Sequence, residues 1–286
     1  MEIATKINLI TEVLRGMNNT ETLYAVRGDI MSARALMAEV RELAERYGHI
    51  AFVRFIDGST GIMQPYILGE WDSALDRANA FTRAVEEGSP HYHAAAAYSR
   101  RGLIEMARGD DAAALKDSAR ALELARQVGD PQILLPVLLE SALVYTETGD
   151  RSRAIALFDE TVGYLRELPD MGFAISFTHT IAWLARVFGR EAEVEPIFSA
   201  ETVESRWLRV AETILAGDLR GAAEMLADMN VPAFEAFYRL RAAEALVGEG
   251  RRAEADEQLG PALAFYRSVG ATRYVREGEA LLAASA

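Results

Sequence analysis

Four residues with ligand-binding chemistry follow one another at helical spacing in the second half of the chain: Ser176, His179, Trp183 and Arg186. Steps of 3, 4 and 3 residues place these side chains on one face of an α-helix. An imidazole, an indole and a guanidinium on one face can stack on a ligand and hydrogen-bond to it. The competing interpretation makes Trp183 a core residue and His179 a hydrogen-bonding partner between helices. We take this face as the leading candidate site.

Residues on the neighbouring predicted helices extend the candidate site. Glu140 and Thr146 belong to the preceding helix pair, and Trp207 belongs to the following one. Tyr98 and Arg101 form a similar aromatic and cationic pair earlier in the chain. We predict that these residues contact the same ligand or partner as the first four.

The sequence lacks the common signatures of catalysis. Neither Lys6 nor Lys116 follows a glycine, as a phosphate-binding loop requires, and the His-Glu-x-x-His and Gly-x-Ser-x-Gly patterns do not occur. His91 and His93 could ligate a metal, but residues two apart on a helix point to different sides. We therefore interpret these two histidines as solvent-facing residues at a helix start. Where two acidic residues are adjacent in the sequence, we interpret them as solvent-exposed residues at helix ends. We predict no enzyme activity, no metal site and no cofactor.

Charge and composition restrict the classes of partner and the compartment that we expect for this protein. The 286 residues carry a net charge of −13 with a pI near 4.9, which opposes binding to the phosphate backbone of nucleic acids. The absence of cysteine is consistent with a reducing compartment, so we expect a cytoplasmic protein. Polar residues interrupt the longest apolar stretches, 133–145 and 172–189, so we expect buried helices there and no membrane contact.

A glycine followed five residues later by a small residue recurs along the whole chain. The glycines are Gly28, Gly69, Gly109, Gly149, Gly189, Gly217 and Gly250, separated by 41, 40, 40, 40, 28 and 33 residues. The residues five positions later are Ala33, Ala74, Ala114, Ala154, Val194, Ala222 and Ala255, so six of the seven are alanine. Glycine ends a helix in the left-handed conformation, and alanine permits close helix packing. In most units a second glycine or proline follows about 20 residues later and marks another turn, so each unit is predicted to be a pair of helices.

The positions around these glycines resemble the tetratricopeptide repeat. A small residue stands seven positions before the glycine in four units: Gly102, Ala142, Ala182 and Ala243. Aromatic residues stand four positions before it as Tyr24 and Tyr145, and Phe158 follows Ala154 by four. The period departs from the family, since it lies nearer 40 residues than the usual ~34. With its longer repeat, the chain is similar to the C-terminal sensor arrays of bacterial MalT-like and LuxR-type regulators and of ATPase-linked nucleotide cyclases.

The resemblance implies an all-α fold over residues 1–286, a right-handed superhelix (α-solenoid) of six to seven antiparallel helix-turn-helix repeats. We predict a capping helix at 271–284, a short helix after Gly189, and a kinked or late helix over Phe55–Pro65. In the tetratricopeptide pattern, Ser176, His179, Trp183 and Arg186 fall on the concave surface.

This architecture predicts a non-catalytic interaction module. We expect a peptide, a partner domain or a small effector to bind in the concave groove, and the chain to be a monomer or a weak homodimer. The alternative is that the chain is the ligand-sensing C-terminal part of a transcriptional regulator or a signalling ATPase, without the remaining domains. An enzyme on a repeat scaffold is a third possibility, for which no site is visible.

Overall fold

A computed structural model describes the backbone of residues 2–283 and the side chains of residues 9–283, and all regular structure in this range is helical. The α-helices in chain order are α1 Glu2–Arg27, α2 Ile30–Arg46, α3 Ile50–Gly58, α4 Thr60–Ile67, α5 Trp71–Glu86, α6 Ala94–Ala107, α7 Asp111–Val128, α8 Pro131–Glu147, α9 Arg151–Glu167, α10 Thr178–Phe188, α11 Glu191–Ser199, α12 Arg206–Leu215, α13 Leu219–Asp228, α14 Pro232–Gly248, α15 Arg252–Ser268 and α16 Thr272–Ala283. A 3₁₀ helix, Gly172–Phe177, precedes α10. Within the described residues, no helix combines the length and the apolarity needed to cross a bilayer.

The repeating glycines mark the turns between paired helices, as the sequence predicted. All seven have a positive φ, from 71° at Gly189 to 91° at Gly149, a range that favours glycine. The small residue five positions after each glycine is buried in every unit. Helices adjacent in the chain pack against each other in pairs.

The predicted irregularities are present, with one correction. The helix over Phe55–Pro65 is broken at Ser59, between α3 and α4, and the helix after Gly189 is only nine residues long. The C-terminal segment forms α16. Ser176, however, lies in the 3₁₀ helix, so it does not continue the face of α10 as the uninterrupted helical spacing predicted.

Helices far apart in the chain also contact each other. The first helix, α1, packs against the 3₁₀ helix and α12, α4 packs against α14, and α6 packs against α16. One buried apolar cluster runs from Val26 to Tyr274. The N-terminal and C-terminal halves therefore share a core, which nearest-neighbour stacking of repeats does not require.

The helices α14 and α16 occupy the side on which an open groove was expected. The hydroxyl of Tyr238 in α14 donates to the carbonyl of His179 in α10 at 2.8 Å. From α16, the guanidinium of Arg273 donates to the terminal carbonyls of α6 and α8, Met106 O and Glu147 O, at 3.0 Å each. Arg241 of α14 pairs with Glu147 at 3.2 Å. Side chains on this face thus meet other helices instead of open solvent.

Candidate functional site

His179 lies in the protein core, with 4% of its surface exposed. Its ring centroid lies 4.3 Å from that of Phe234 and 5.3 Å from that of Trp207. Burial, with a smaller contribution from the charge of Arg100, lowers the pKa of His179 to about 3. The imidazole is therefore neutral at physiological pH and packs as an aromatic ring between α10, α12 and α14.

Trp183, one turn further along α10, lines a small central cavity of about 40 Å³. Its ring contacts the edge of Phe237 at a centroid distance of 5.4 Å. The indole nitrogen of Trp183 and the hydroxyl of Tyr266 are buried here without a hydrogen-bond partner among the described residues. A buried water needs roughly 10–15 Å³, so this cavity has room for a few waters and is too small for an organic ligand.

Glu140 and Thr146 on α8 are held by structural contacts. The Glu140 carboxylate forms a buried ion pair with Arg100 and accepts a hydrogen bond from the Ser99 hydroxyl at 2.6 Å. The Thr146 hydroxyl donates to the carbonyl of Ala142 in its own helix at 2.8 Å. Both side chains are therefore engaged in contacts within the protein.

Tyr98 and Arg101 form an interhelical network. The Tyr98 hydroxyl donates to Glu86 at 2.8 Å, and the Arg101 guanidinium donates to Asp117 at 2.5 and 2.8 Å. The guanidinium carbon of Arg101 also lies 5.1 Å from the centre of the Tyr98 ring. These contacts join α5, α6 and α7.

Arg186 performs a comparable role at the end of α12. Its guanidinium donates to the carbonyl of Leu215 at 3.1 Å and lies 3.8 Å from the Glu191 carboxylate. The last carbonyls of a helix have no partner inside it, so this contact satisfies one of them.

The interpretation of His93 as solvent-facing is wrong. His93 is 8% exposed, and its ring packs 4.5 Å from that of Phe55 and 5.8 Å from that of His91. Burial, reinforced by His91, lowers the pKa of His93 to about 4. The helix α3, through Phe55, packs against the residue that precedes α6, and the sequence pattern did not reveal this contact.

The two remaining predicted residues, Trp207 and Ser176, meet where the two halves of the chain join. The indole nitrogen of Trp207 donates to the carbonyl of Ala25 at 2.7 Å, and the hydroxyl of Ser205 donates to that of Val26 at 2.6 Å. Both acceptors are in the last turn of α1, where carbonyls lack partners within the helix. These bonds fix the end of α1 against the start of α12.

A pocket of about 200 Å³ lies at this joint, and we call it the junction pocket. Its walls come from α1, α2 and α4 on one side and from the 3₁₀ helix, α12 and α14 on the other. The lining residues are Glu21, Thr22, Ala25, Val26, Ile30, Ala33, Thr60, Met63, Gln64, Ile67, Phe173, Ser176, Phe177, Trp207 and Phe234. A mostly apolar cavity with a few convergent polar groups is the usual form of a small-molecule site.

The polar groups of the junction pocket include a buried carboxyl. Glu21 is 6% exposed and forms no ion pair with any described side chain. Burial raises the pKa of Glu21 to about 7, and the neighbouring Gln64 amide opposes this shift only in part. The Gln64 amide nitrogen and the Thr60 hydroxyl are buried without a hydrogen bond of regular geometry. An acidic group with a shifted pKa in a cleft, beside unpaired polar atoms, marks a candidate site.

Glu21 also departs from the repeat pattern at a buried position. It stands seven residues before Gly28, where the other units have Ile62, Gly102, Ala142, Ala182, Val210 and Ala243, all buried. A charged residue in this register was the available sequence signal for the site. Thr60 and Gln64 carried no comparable signal.

The junction pocket thus gathers Ser176 and Trp207 from the predicted site. It excludes His179, Trp183, Arg186, Glu140, Thr146, Tyr98 and Arg101. The pocket can hold a ligand of about one aromatic ring, since a cavity of ~150 Å³ accommodates benzene. No protein-family model matches the chain, and no curated protein matches it.

Proposed function

We propose that this protein is a non-catalytic, tetratricopeptide-like module that binds a small amphiphilic effector in the junction pocket. The observation that carries the proposal is the combination of an apolar cavity of about 200 Å³ with a buried carboxyl that has no ion-pair partner among the described residues, and with two further buried polar groups that lack a hydrogen bond of regular geometry. Unsatisfied buried polar atoms cost stability, and a bound ligand that hydrogen-bonds to them offsets that cost.

The lining of the pocket favours binding over catalysis. Glu21 is the one titratable residue among the lining residues, whereas general acid and base chemistry needs a group matched to a second catalytic group or a nucleophile. Within the described residues, no cluster of three or more histidine, cysteine or carboxylate side chains has the arrangement of a metal site.

The size and position of the pocket favour a small molecule over a peptide. Sites for drug-sized ligands measure about 300–1,000 Å³, so a cavity of about 200 Å³ suits a smaller compound. The face on which a peptide groove was expected is covered by α14 and α16, which donate to or pair with groups on α6, α8 and α10.

The location of the pocket also supports the sensor interpretation. A ligand there contacts α1 and α4 together with the 3₁₀ helix, α12 and α14, so it bridges the two halves of the chain. A ligand that binds the joined arrangement more tightly than a loosened one shifts the population toward the joined form. A partner protein or an attached regulatory domain can then read the state of the joint.

Titration calorimetry with benzyl alcohol as the probe tests the proposal. Ser176→Leu adds bulk to the pocket wall, and Ser152→Leu makes the same change at an exposed position of α9. We expect wild type and Ser152→Leu to bind with similar affinity, and Ser176→Leu to bind at least about tenfold more weakly. Both variants should retain the circular dichroism spectrum of the wild type.

Two results would contradict the proposal. One is undetectable binding of single-ring compounds to the wild type. The other is unchanged affinity in a correctly folded Ser176→Leu variant, because it would place the probe elsewhere in the protein.

A further inference from the structure

We propose that the junction pocket selects a small hydrophobic cation, a primary amine on a single-ring or branched aliphatic body, with Glu21 as its counter-ion. This inference rests on the proposed function and specifies the chemical class of the effector. It follows from the charges around the pocket and from its aromatic surface.

The charges around the pocket favour a cation. Among the described residues, no lysine, arginine or histidine lines it, so Glu21 has no cationic partner there and a bound ammonium meets no like charge in the wall. A carboxylate removed from water is costly unless it is paired, and a ligand ammonium supplies the missing partner. An anionic ligand would face the Glu21 carboxylate without compensation. The net charge of −13 also favours the approach of cations.

The buried cation behind the Phe177 side of the pocket, Arg100, already has an anionic partner. The Arg100 guanidinium carbon lies 5.9 Å from the centre of the Phe177 ring, which forms part of the pocket wall. Arg100 is ion-paired with Glu140, whose second oxygen accepts the hydrogen bond from Ser99. Arg100 is therefore committed to Glu140 and is not a partner for Glu21.

Aromatic rings supply the second element of cation recognition. Phe173, Phe177, Trp207 and Phe234 all line the pocket, and the Trp207 ring is held in place by its bond to the Ala25 carbonyl. Ring faces attract ammonium groups, most strongly where water is excluded. The same rings and the aliphatic wall of Ile30, Met63 and Ile67 accept the apolar body of the ligand.

The buried carboxyl of Glu21 makes amine binding depend on pH. The pKa of Glu21, near 7 in the free protein because of burial, means that an ammonium must displace a proton below that pH. Glu21 is the one titratable group facing the pocket from the six elements that line it. The apparent affinity for an amine should therefore be about tenfold weaker at pH 6 than at pH 8, and the affinity for a neutral analogue should not change.

The experiment compares benzylamine, benzyl alcohol and benzoate by titration calorimetry with the full chain and with Glu21→Gln. At pH 8 we expect wild type to bind benzylamine at least about tenfold more tightly than benzyl alcohol, and to bind benzoate most weakly. In Glu21→Gln the preference for the amine and its pH dependence should both disappear, while benzyl alcohol keeps its affinity within about threefold.

Each contrary outcome identifies which proposal fails. If wild type binds benzyl alcohol as tightly as benzylamine, the pocket remains a ligand site and the selection for a cation is refuted. The same holds if Glu21→Gln retains the preference for the amine. If none of the three compounds binds to wild type, both the inference and the proposed function fall.

Discussion

Replacing Glu21 by Gln should stabilise the ligand-free protein at neutral and alkaline pH. The carboxyl is buried in the apolar junction pocket without an ion-pair partner among the described side chains, so its ionised form is disfavoured in the folded state. Glutamine has nearly the same shape, cannot ionise, and can still hydrogen-bond to Gln64. The substitution therefore removes the cost of a buried charge without opening a cavity.

The size of this effect follows from the pKa of Glu21. Burial raises it from 4.5 to about 7, so the folded protein holds a proton that the unfolded chain has released. Where the folded state binds more protons, stability falls as pH rises, by about 1.4 kcal/mol per pH unit. Across this interval the wild type loses at most about 3 kcal/mol relative to Glu21→Gln. For 286 residues this corresponds to roughly 5 °C in Tm.

The assay is thermal and urea unfolding of both proteins between pH 4 and pH 8. We expect nearly equal stability at pH 4 and a growing advantage of Glu21→Gln up to about pH 7, beyond which the difference is constant. Glu12→Gln serves as the control on the same helix, because Glu12 is exposed and its contact with Arg15 is a surface ion pair of little energetic value. A pH-independent difference between wild type and Glu21→Gln would refute the reasoning.

Three further predictions concern stability. Arg241→Met should cost about 3–5 kcal/mol in urea unfolding, because it removes a buried guanidinium that the largely buried Glu147 and the partly exposed Glu277 share. Arg251→Met removes a cation whose ion pairs lie at the surface, so it should change stability little; equal losses would show that the Arg241 network is not stabilising. His179→Gln should reduce the loss of unfolding free energy as the pH falls from 6.5 to 4. Burial lowers the pKa of His179 to about 3 in the folded protein, whereas the histidine of the unfolded chain gains a proton below pH 6.5. The same loss of stability in wild type and variant over this interval would contradict the prediction. Gly28→Ala should lower Tm, because φ is +83° and an added methyl would lie 2.8 Å from Met229. The control Gly16→Ala, where the added methyl meets no other atom, should raise stability by about 0.5–1 kcal/mol. An unchanged Tm in Gly28→Ala would contradict the close contact at the joint.

Local rules accounted for the helical part of the fold. The turn glycines, the buried alanines five positions later and the helix break near Ser59 each depend on a few neighbouring residues, and all were predictable. Left-handed glycines and close-packing alanines act through the backbone of one helix pair. Such signals survive in a single sequence because distant contacts do not alter them.

The position of the candidate site depends on contacts between helices that are distant in the chain, and the sequence could not show these contacts. The face of α10 that carries His179 and Trp183 was predicted to line a groove, but α14 packs over it through Phe234, Phe237 and Tyr238. Repeat spacing describes how each unit stacks on the next and carries no information on whether the two ends meet.

Glu21 shows, for a single residue, the same contrast between what neighbouring residues suggest and where the residue lies in the fold. Its neighbours Asn18, Asn19, Thr20 and Thr22 give the segment the composition of a solvated helix face. Comparison with equivalent positions of the other units shows instead a register that is apolar and buried throughout. A single charged residue at such a position indicates either a destabilising accident or a site, and the cavity beside it favours the site.

A crystal structure of the protein with benzylamine provides the most direct test. We predict density for one ring between Trp207 and the 3₁₀ helix, with the amine nitrogen about 2.7–2.9 Å from a Glu21 carboxylate oxygen. A ligand bound elsewhere, or a junction pocket left empty at a benzylamine concentration that saturates the protein in solution, would contradict the proposed function.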